Sequence, residues 1–226
     1  MLKKHMTIPQ SDTGFVAGTP VWTDRGLIPI ESIKIGDMIL SRSGVAGESS
    51  YKPVVNAFVK KQQNIIVNTV YTMREVDGKE KLMRDYIFSS DSYSVWMVAR
   101  GWVPVLSADQ GELALQDDTA SYMAGISMVF EDVRTENTGI IVLDQGEQLC
   151  VPVMFDGAVS FFDGAEEGIR FNGGSARFTG VDQVLGQDGM SDKLSSRIDV
   201  YGIEIEDFNS YFVGAIGLWV HNLRAA

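Results

Sequence analysis

Short apolar runs recur along the whole length of this chain, separated by breaks that contain Gly or Asp. The runs are rich in Val, Ile, Phe, Tyr and Trp, which are the residues enriched in β-strands. Strands are predicted over residues 16–23, 38–41, 54–60, 65–71, 86–89, 95–98, 139–143, 149–155, 198–205, 211–213 and 218–220. The pattern predicts an all-β chain whose strands are mostly antiparallel, arranged as a barrel or a sandwich.

Gly, Asp and Pro between the runs predict where the chain turns. Asp77-Gly78 and Asp156-Gly157 are typical of tight hairpin turns. One short helical turn is predicted over residues 29–33, where Pro29 would open it and Gly36 would close it. No other helix is predicted with comparable support.

The length of 226 residues suits one sizeable core, and 45% hydrophobic with 22% charged residues is typical of a folded domain. Residues 106–195 differ from their flanks, because acidic pairs such as Asp117-Asp118 and glycine-rich stretches recur there. We predict one domain over residues 14–222 with an inserted acidic segment at about 106–195, an N-terminal extension over residues 1–13 and a C-terminal stub over residues 223–226.

The charge of the chain argues against several partners. A formal net charge of -11 predicts repulsion from phosphate backbones, and no cluster of Lys and Arg is large enough to offset it locally. No stretch reaches the ~18 apolar residues of a membrane span. The basic start, residues 1–7, is not followed by an apolar segment. We therefore expect neither nucleic acid nor a membrane as a partner, and no signal peptide.

Cysteine and histidine are scarce in this sequence. Cys150 is the only cysteine, and His5 and His221 are the only histidines. An internal disulfide is therefore impossible, and a zinc site of the usual Cys/His kind cannot be assembled within one chain. Cys150 lies in the apolar run 149–155, where a buried hydrophobe is expected rather than a reactive thiol. We expect no metal and no other cofactor.

Three blocks of the sequence share an order with a known family. The chain reads GFVAGTPVWT over residues 14–23, VWMV over residues 95–98 and LWVHN over residues 218–222. In full, the first block comprises residues 14–23, 26–30 and 33–41, the middle block residues 95–98 and 101–103, and the closing block residues 201–207, 211–214 and 218–222. The chain resembles the Hint domains shared by inteins and Hedgehog autoprocessing proteins, and looks most like the pretoxin Hint branch of bacterial polymorphic toxins. The resemblance implies a Hint/intein-like horseshoe of antiparallel strands.

The resemblance also implies a chemistry that needs several groups in one pocket. In active relatives a Cys or Ser at the start of the first block attacks the carbonyl just before it. A Thr-x-x-His motif of the middle block destabilises that amide and protonates the leaving nitrogen. An Asn at the end of the closing block, assisted by the His before it, then cyclises onto its own carbonyl. The two ends of the domain are therefore expected to lie side by side.

This sequence departs from the family pattern at most of the chemical positions. Gly14 stands at the nucleophile position and has no side chain with which to attack. Ser90 and Tyr93 stand at the Thr and His positions of the middle motif, and a phenol with a reference pKa of about 10 is a poor proton shuttle near neutrality. Asn209 stands where relatives usually have a further His. Complete splicing is therefore not expected.

The end of the closing block keeps the family's remaining catalytic pair, His221 and Asn222. Leu223, which follows, cannot accept an acyl group as Cys, Ser or Thr would. The structural interpretation of this pair is a strand end whose polar groups satisfy the backbone. The functional interpretation is residual cleavage after Asn222.

Three hypotheses follow from the sequence. The first is a degenerate Hint domain kept as a scaffold or protein-interaction module, with residues 106–195 as the recognition surface. Its partner would be another protein or a toxin module, in the cytoplasm or in a secreted bacterial toxin system. The second is a slow autoproteolytic domain that cleaves after Asn222 by asparagine cyclisation. The third is a generic acidic β domain whose similarity to Hint domains is only architectural.

The missing groups also suggest a reversion experiment. Restoring them together, as Gly14→Cys, Tyr93→His and Asn209→His, is expected to revive N-terminal cleavage if the scaffold is still competent.

Overall fold

The computed structural model describes residues 14–44, 47–108, 112–115, 121–124, 138–143, 148–152, 169–171, 174–179 and 197–222. Its strands are β1 Phe15–Val16, β2 Pro20–Thr23, β3 Gly26–Pro29, β4 Met38–Arg42, β5 Ser49–Asn64, β6 Ile66–Val76, β7 Lys79–Ser89, β8 Tyr93–Met97, β9 Gly101–Pro104, β10 Glu112–Leu113, β11 Ser121–Ala124, β12 Thr138–Leu143, β13 Gln148–Pro152, β14 Ile169–Phe171, β15 Gly174–Thr179, β16 Arg197–Ile205, β17 Ser210–Val213 and β18 Leu218–Asn222. The helical segments of these ranges are two 3₁₀ turns, η1 Ile30–Ser32 and η2 Val105–Ser107, and neither could span a membrane. The all-β prediction is confirmed.

The main sheet curls until it meets itself. Within the described residues its strand order is β10-β11-β6-β7-β1-β16-β5-β4-β2-β17-β18-β8-β9, and β3 is attached to β2. β10 pairs with β11 and also with β8, so the order closes into a ring. The pairings are antiparallel, including those of β1 with β16 and of β18 with β8. The result is a curled antiparallel sheet rather than two separate layers.

Residues 106–195, predicted as an insertion, contribute to two sheets. β10 pairs with β8 and β11 pairs with β6, so both belong to the main sheet. β12 to β15 form a separate four-stranded sheet with the order β13-β12-β15-β14. The predicted hairpin turn at Asp156-Gly157 lies outside the described residues.

The first predicted strand, residues 16–23, is two strands in the structure, so this expectation was wrong. Gly18 has a φ of 85°, and the Thr19 N–H donates a hydrogen bond to the Val16 carbonyl at 3.2 Å. This turn separates β1 from β2 and sends them to different neighbours in the sheet. A glycine inside an apolar run does not by itself indicate a turn, because glycine also occurs within strands at bulges.

The hairpin of β6 and β7 confirms the predicted turn at Asp77-Gly78. Val76 pairs with Lys79, and the two central residues have φ values of 55° and 71°. Positive φ at both central positions suits the right-handed twist of the flanking strands. β5, β6 and β7 are 16, 11 and 11 residues long, which is longer than the predicted apolar runs, because ladder hydrogen bonds continue through polar stretches. The predicted helical turn over residues 29–33 is confirmed as η1.

The curled sheet packs side chains into two apolar clusters. One contains Phe15, Tyr93 and Tyr211 together with other buried residues of the sheet. The second is built around Phe212 and Trp219, with half-buried tryptophans packed against it. Because successive residues of a strand point to opposite faces, Tyr211 and Phe212 contribute to different clusters.

Gly36 allows a test of backbone geometry alone. Its φ is 91°, and apart from Gly36 and its two chain neighbours no residue has an atom within 4 Å of the place where a Cβ would be. Gly36→Ala is expected to lower the free energy of unfolding by about 1 kcal/mol, because residues with a Cβ avoid this conformation. Gly44→Ala is the control, since Gly44 is equally open and has no positive φ. Equal shifts of the thermal unfolding midpoint in the two variants would contradict this account.

Candidate functional site

The backbone of Gly14, the residue predicted at the nucleophile position, is held by Ser90. The Gly14 N–H donates a hydrogen bond to Ser90 Oγ at 3.0 Å, and the Ser90 N–H donates to the Gly14 carbonyl at 2.8 Å. The Ser90 hydroxyl also donates to the Gly14 carbonyl at 3.3 Å. Both residues are buried. Two sequence-predicted positions, 76 residues apart, are therefore in direct contact.

Tyr93 fills the space beside the first strand. It is completely buried, and its ring centroid lies 5.1 Å from that of Phe15, the residue after Gly14. Asn68 Nδ2 donates a hydrogen bond to the Tyr93 hydroxyl at 3.0 Å. Tyr93 is thus a buried phenol that lies beside the Gly14 segment and has a defined hydrogen-bond partner.

The side chain of Asn222 is buried and hydrogen-bonded at both ends. The Tyr211 hydroxyl donates to Asn222 Oδ1 at 3.2 Å, and Asn222 Nδ2 donates to the Ile203 carbonyl of β16. The Asn222 N–H donates to the Asn209 carbonyl at 3.0 Å. Asn209 itself has a φ of 49° and reaches this site through its backbone oxygen.

The two ends of the domain meet through shared neighbours. The ring of Phe15 contacts both tyrosines, with centroids 5.1 Å from Tyr93 and 6.2 Å from Tyr211. Asn222 pairs with Tyr93 across β18 and β8. We call the group of Gly14, Ser90, Tyr93, Tyr211 and Asn222 the junction site.

The side chain of His221 lies apart from the junction site although His221 precedes Asn222. Its ring packs against Trp102, with the centroids 5.0 Å apart. Adjacent strand residues point to opposite faces, so the side chains of His221 and Asn222 diverge. The structure therefore brings Gly14, Ser90, Tyr93 and Asn222 together but not the imidazole.

The titratable side chains of the junction site are two neutral phenols. Burial raises the pKa of Tyr93 far above its usual value, and the Ser89 hydroxyl offsets part of that shift. Burial also raises the pKa of Tyr211, the nearby Tyr93 raises it further, and the hydrogen bond with Asn222 opposes the rise. Neither phenol is able to release its proton near neutral pH, so neither serves as a general base.

Two members of this arrangement were missed by sequence reasoning. Tyr211 was predicted as a strand residue of the closing block, and Asn68 lay in an ordinary apolar run. Asn68 is a completely buried amide. Its place within the apolar run 65–71 is the one sequence signal that could have marked it, because amides are mostly exposed. Which partner it reaches depends on the register of β6 and β7 and on the path to β8.

The comparisons with known proteins agree with the curled sheet. No protein-family model and no curated protein matches the sequence. The structure is similar to the solution structure of a bacterial intein-like domain from Clostridium thermocellum, with a TM-score of 0.52 and 18% identity, covering 92% of this chain and 98% of that one. Two further similar structures are the gp41-1 intein (TM-score 0.45, 13% identity, 94% of this chain and 100% of that one) and a DnaB intein from Synechocystis sp. PCC 6803 (TM-score 0.48, 8% identity, 94% and 99%).

The first of these similarities establishes the fold. The chain has the Hint fold, the intein-like curled arrangement of antiparallel strands. At 18% identity the likeness concerns the fold alone.

The hydrogen bond between Asn68 and Tyr93 yields a stability prediction. Tyr93→Phe removes the acceptor and leaves Asn68 Nδ2 buried without it, which is expected to cost about 1–3 kcal/mol. Tyr51→Phe is the matched control, because Tyr51 is 47% exposed. Urea unfolding midpoints of the two variants measure the difference. If both variants unfold like the parent chain, the hydrogen bond contributes nothing.

The raised pKa values yield a prediction for alkaline pH. The folded pKa of Tyr93 and of Tyr211 lies above the unfolded value of about 10, so the folded state keeps protons that the unfolded state releases. Their contribution to stability is complete below pH of about 10 and is lost as the pH rises above it. An ultraviolet absorbance titration should show at least two of the seven tyrosines ionising only when the chain unfolds. Ionisation of all seven in the folded chain would contradict the assignment.

Proposed function

We propose that this chain is a Hint-fold domain that does not cut itself and acts as a scaffold or protein-interaction module. The observation that carries the proposal is the composition of the junction site. Glycine stands at the predicted nucleophile position, and the titratable groups of the junction site are two phenols that burial keeps protonated. The site thus combines the position of an autoprocessing centre with side chains that cannot perform its first step.

Ser90 does not supply the missing nucleophile in this proposal. Its hydroxyl already accepts from the Gly14 N–H and donates to the Gly14 carbonyl. A serine hydroxyl attacks a peptide only when an adjacent base removes its proton. The neutral phenol of Tyr93 is no such base. In this proposal the Ser90 hydrogen bonds hold the first strand in place, and the Ser90 hydroxyl does not attack the peptide bond.

The arrangement of Asn222 supports the same proposal at the other end. Asparagine cyclisation requires Nδ2 to attack the residue's own carbonyl, and here Nδ2 donates to the Ile203 carbonyl. The ring of His221 packs on Trp102 on the other face of β18. The alternative function, slow cleavage after Asn222, would require this hydrogen bond to break first.

The proposed interaction role rests on two features that do not depend on self-cleavage, namely the segment 106–195 and the net charge of the chain. We propose residues 106–195 as the recognition surface, since their acidic pairs and the separate sheet of β12 to β15 distinguish this segment from the three family-like blocks. The net charge of -11 favours a protein partner over nucleic acid. The sequence resemblance to pretoxin Hint domains suggests a toxin module in a bacterial system as that partner, in the cytoplasm or secreted.

The proposal predicts that the purified chain keeps its mass. Residues 1–13 should stay attached over days at neutral pH, also with added thiol, because thiol-induced cleavage needs a thioester that glycine cannot form. The four residues after Asn222 should also stay attached over hours. Intact-mass spectrometry measures both ends in one experiment.

The control for this measurement is Asn222→Ala. If the parent chain slowly loses its last four residues and this variant does not, the alternative of asparagine cyclisation replaces the non-cutting proposal. A new N-terminus at Gly14 in the parent chain would overturn the proposal directly.

A further inference from the structure

Gly14 lies against Val200 so closely that no side chain fits there. A Cβ built on Gly14 would lie 2.3 Å from Val200 Cγ2 and 2.7 Å from Val200 Cβ. The next atom, the Val200 carbonyl carbon, would be 3.4 Å away. Non-bonded carbon atoms have their optimal separation at about 3.5–4.0 Å, so both side-chain contacts are severe overlaps.

Val200 cannot move aside by rotating its side chain. It is completely buried in β16, where it pairs with Val16 of β1 on one side and with Lys60 of β5 on the other. The position of its Cβ is set by the backbone of this central strand, and no rotamer changes it. A Cβ at residue 14 would therefore have to push β1 away from β16.

We propose that Val200 is the residue that closes the nucleophile position of this domain. The glycine at residue 14 is then matched by Val200, which occupies the volume that a side chain at residue 14 would need. The importance of residue 14 for cleavage rests on the proposed function, whereas the exclusion of a side chain by Val200 rests on packing alone.

The distances indicate which substitution opens the position. Val200→Ala removes Cγ2 but keeps the Cβ at 2.7 Å, so most of the overlap stays. Val200→Gly removes both atoms, so that the nearest remaining neighbour is the Val200 backbone carbon at 3.4 Å, which is an acceptable contact. The difference between the two variants distinguishes a steric block at the Val200 Cβ from a general loosening of the core. If the core were merely loosened, Val200→Ala and Val200→Gly would have the same effect.

The proposal changes the expectation for the reversion experiment. Gly14→Cys with Tyr93→His and Asn209→His restores the chemical groups but leaves the Val200 Cβ in the place of the new side chain. We expect N-terminal cleavage only when Val200→Gly is added to these three substitutions.

The decisive test is a double-mutant cycle that measures stability. Gly14→Ala is made in three backgrounds, with Val200 unchanged, with Val200→Ala and with Val200→Gly, and each chain is unfolded in urea. With Val200 unchanged, Gly14→Ala should raise the unfolding equilibrium constant by about tenfold or more, as overpacking of a core does. The increase should stay close to that with Val200→Ala and should fall below about threefold with Val200→Gly. The same increase in all three backgrounds would overturn the proposal.

The cycle has a matched control and a second readout. Gly44→Ala has open space around it and should have the same small effect in every background. If Gly14→Ala prevents folding with Val200 present, recovery of a cooperative unfolding transition with Val200→Gly supports the proposal, and failure to recover it while Val200→Gly alone folds overturns it.

Intact-mass analysis of the reverted chains distinguishes the steric block by Val200 from the proposed absence of self-cleavage in the parent chain. Thiol-dependent release of residues 1–13 that appears only with Val200→Gly supports the block. Release from the reverted chain with Val200 still present overturns the block, but it leaves the non-cutting proposal for the parent chain intact. Self-cleavage of the parent chain has the opposite meaning, since it removes the proposed function and says nothing against the packing of Gly14 on Val200.

Discussion

The pairing of β16 on both of its edges is the interaction on which the junction site depends. β1 lies on one side of β16 and β5 on the other, so the segment that starts at Gly14 is placed by backbone hydrogen bonds to residues nearly 190 positions later. The Ile203 carbonyl of the same strand accepts Asn222 Nδ2. One central strand thus holds both the segment that starts at Gly14 and the side chain of Asn222.

Burial decides the chemical character of this junction. The ring of Phe15 packs against those of Tyr93 and Tyr211, and the two tyrosine hydroxyls are hydrogen-bonded to the neutral side chains of Asn68 and Asn222. Buried polar groups that pair with neutral partners stabilise a single arrangement, but they do not provide a charge or a mobile proton. The same packing that makes the site rigid therefore removes it from acid–base chemistry near neutral pH.

Much of the fold was predictable because strand composition and turn chemistry are local. The runs containing Val54, Val95 and Leu218 are strands, and Asp77-Gly78 forms its hairpin. The break at Gly18 and the long polar parts of β5 to β7 were not predictable, since they depend on neighbours in the sheet. The catalytic roles assigned by resemblance to the six predicted site residues stay predictions.

The sequence by itself determined that residue 14 has no side chain, that histidine is absent from position 93 and that the chain is built of strands, because these are matters of residue type and local pattern. Only the tertiary structure decided that Ser90 holds Gly14, that the ring of His221 faces Trp102 and that Val200 fills the space a side chain at residue 14 would need. The physical reason is that these contacts depend on register and on which strands become neighbours. Contacts between residues 76 or more positions apart leave no mark in a local pattern.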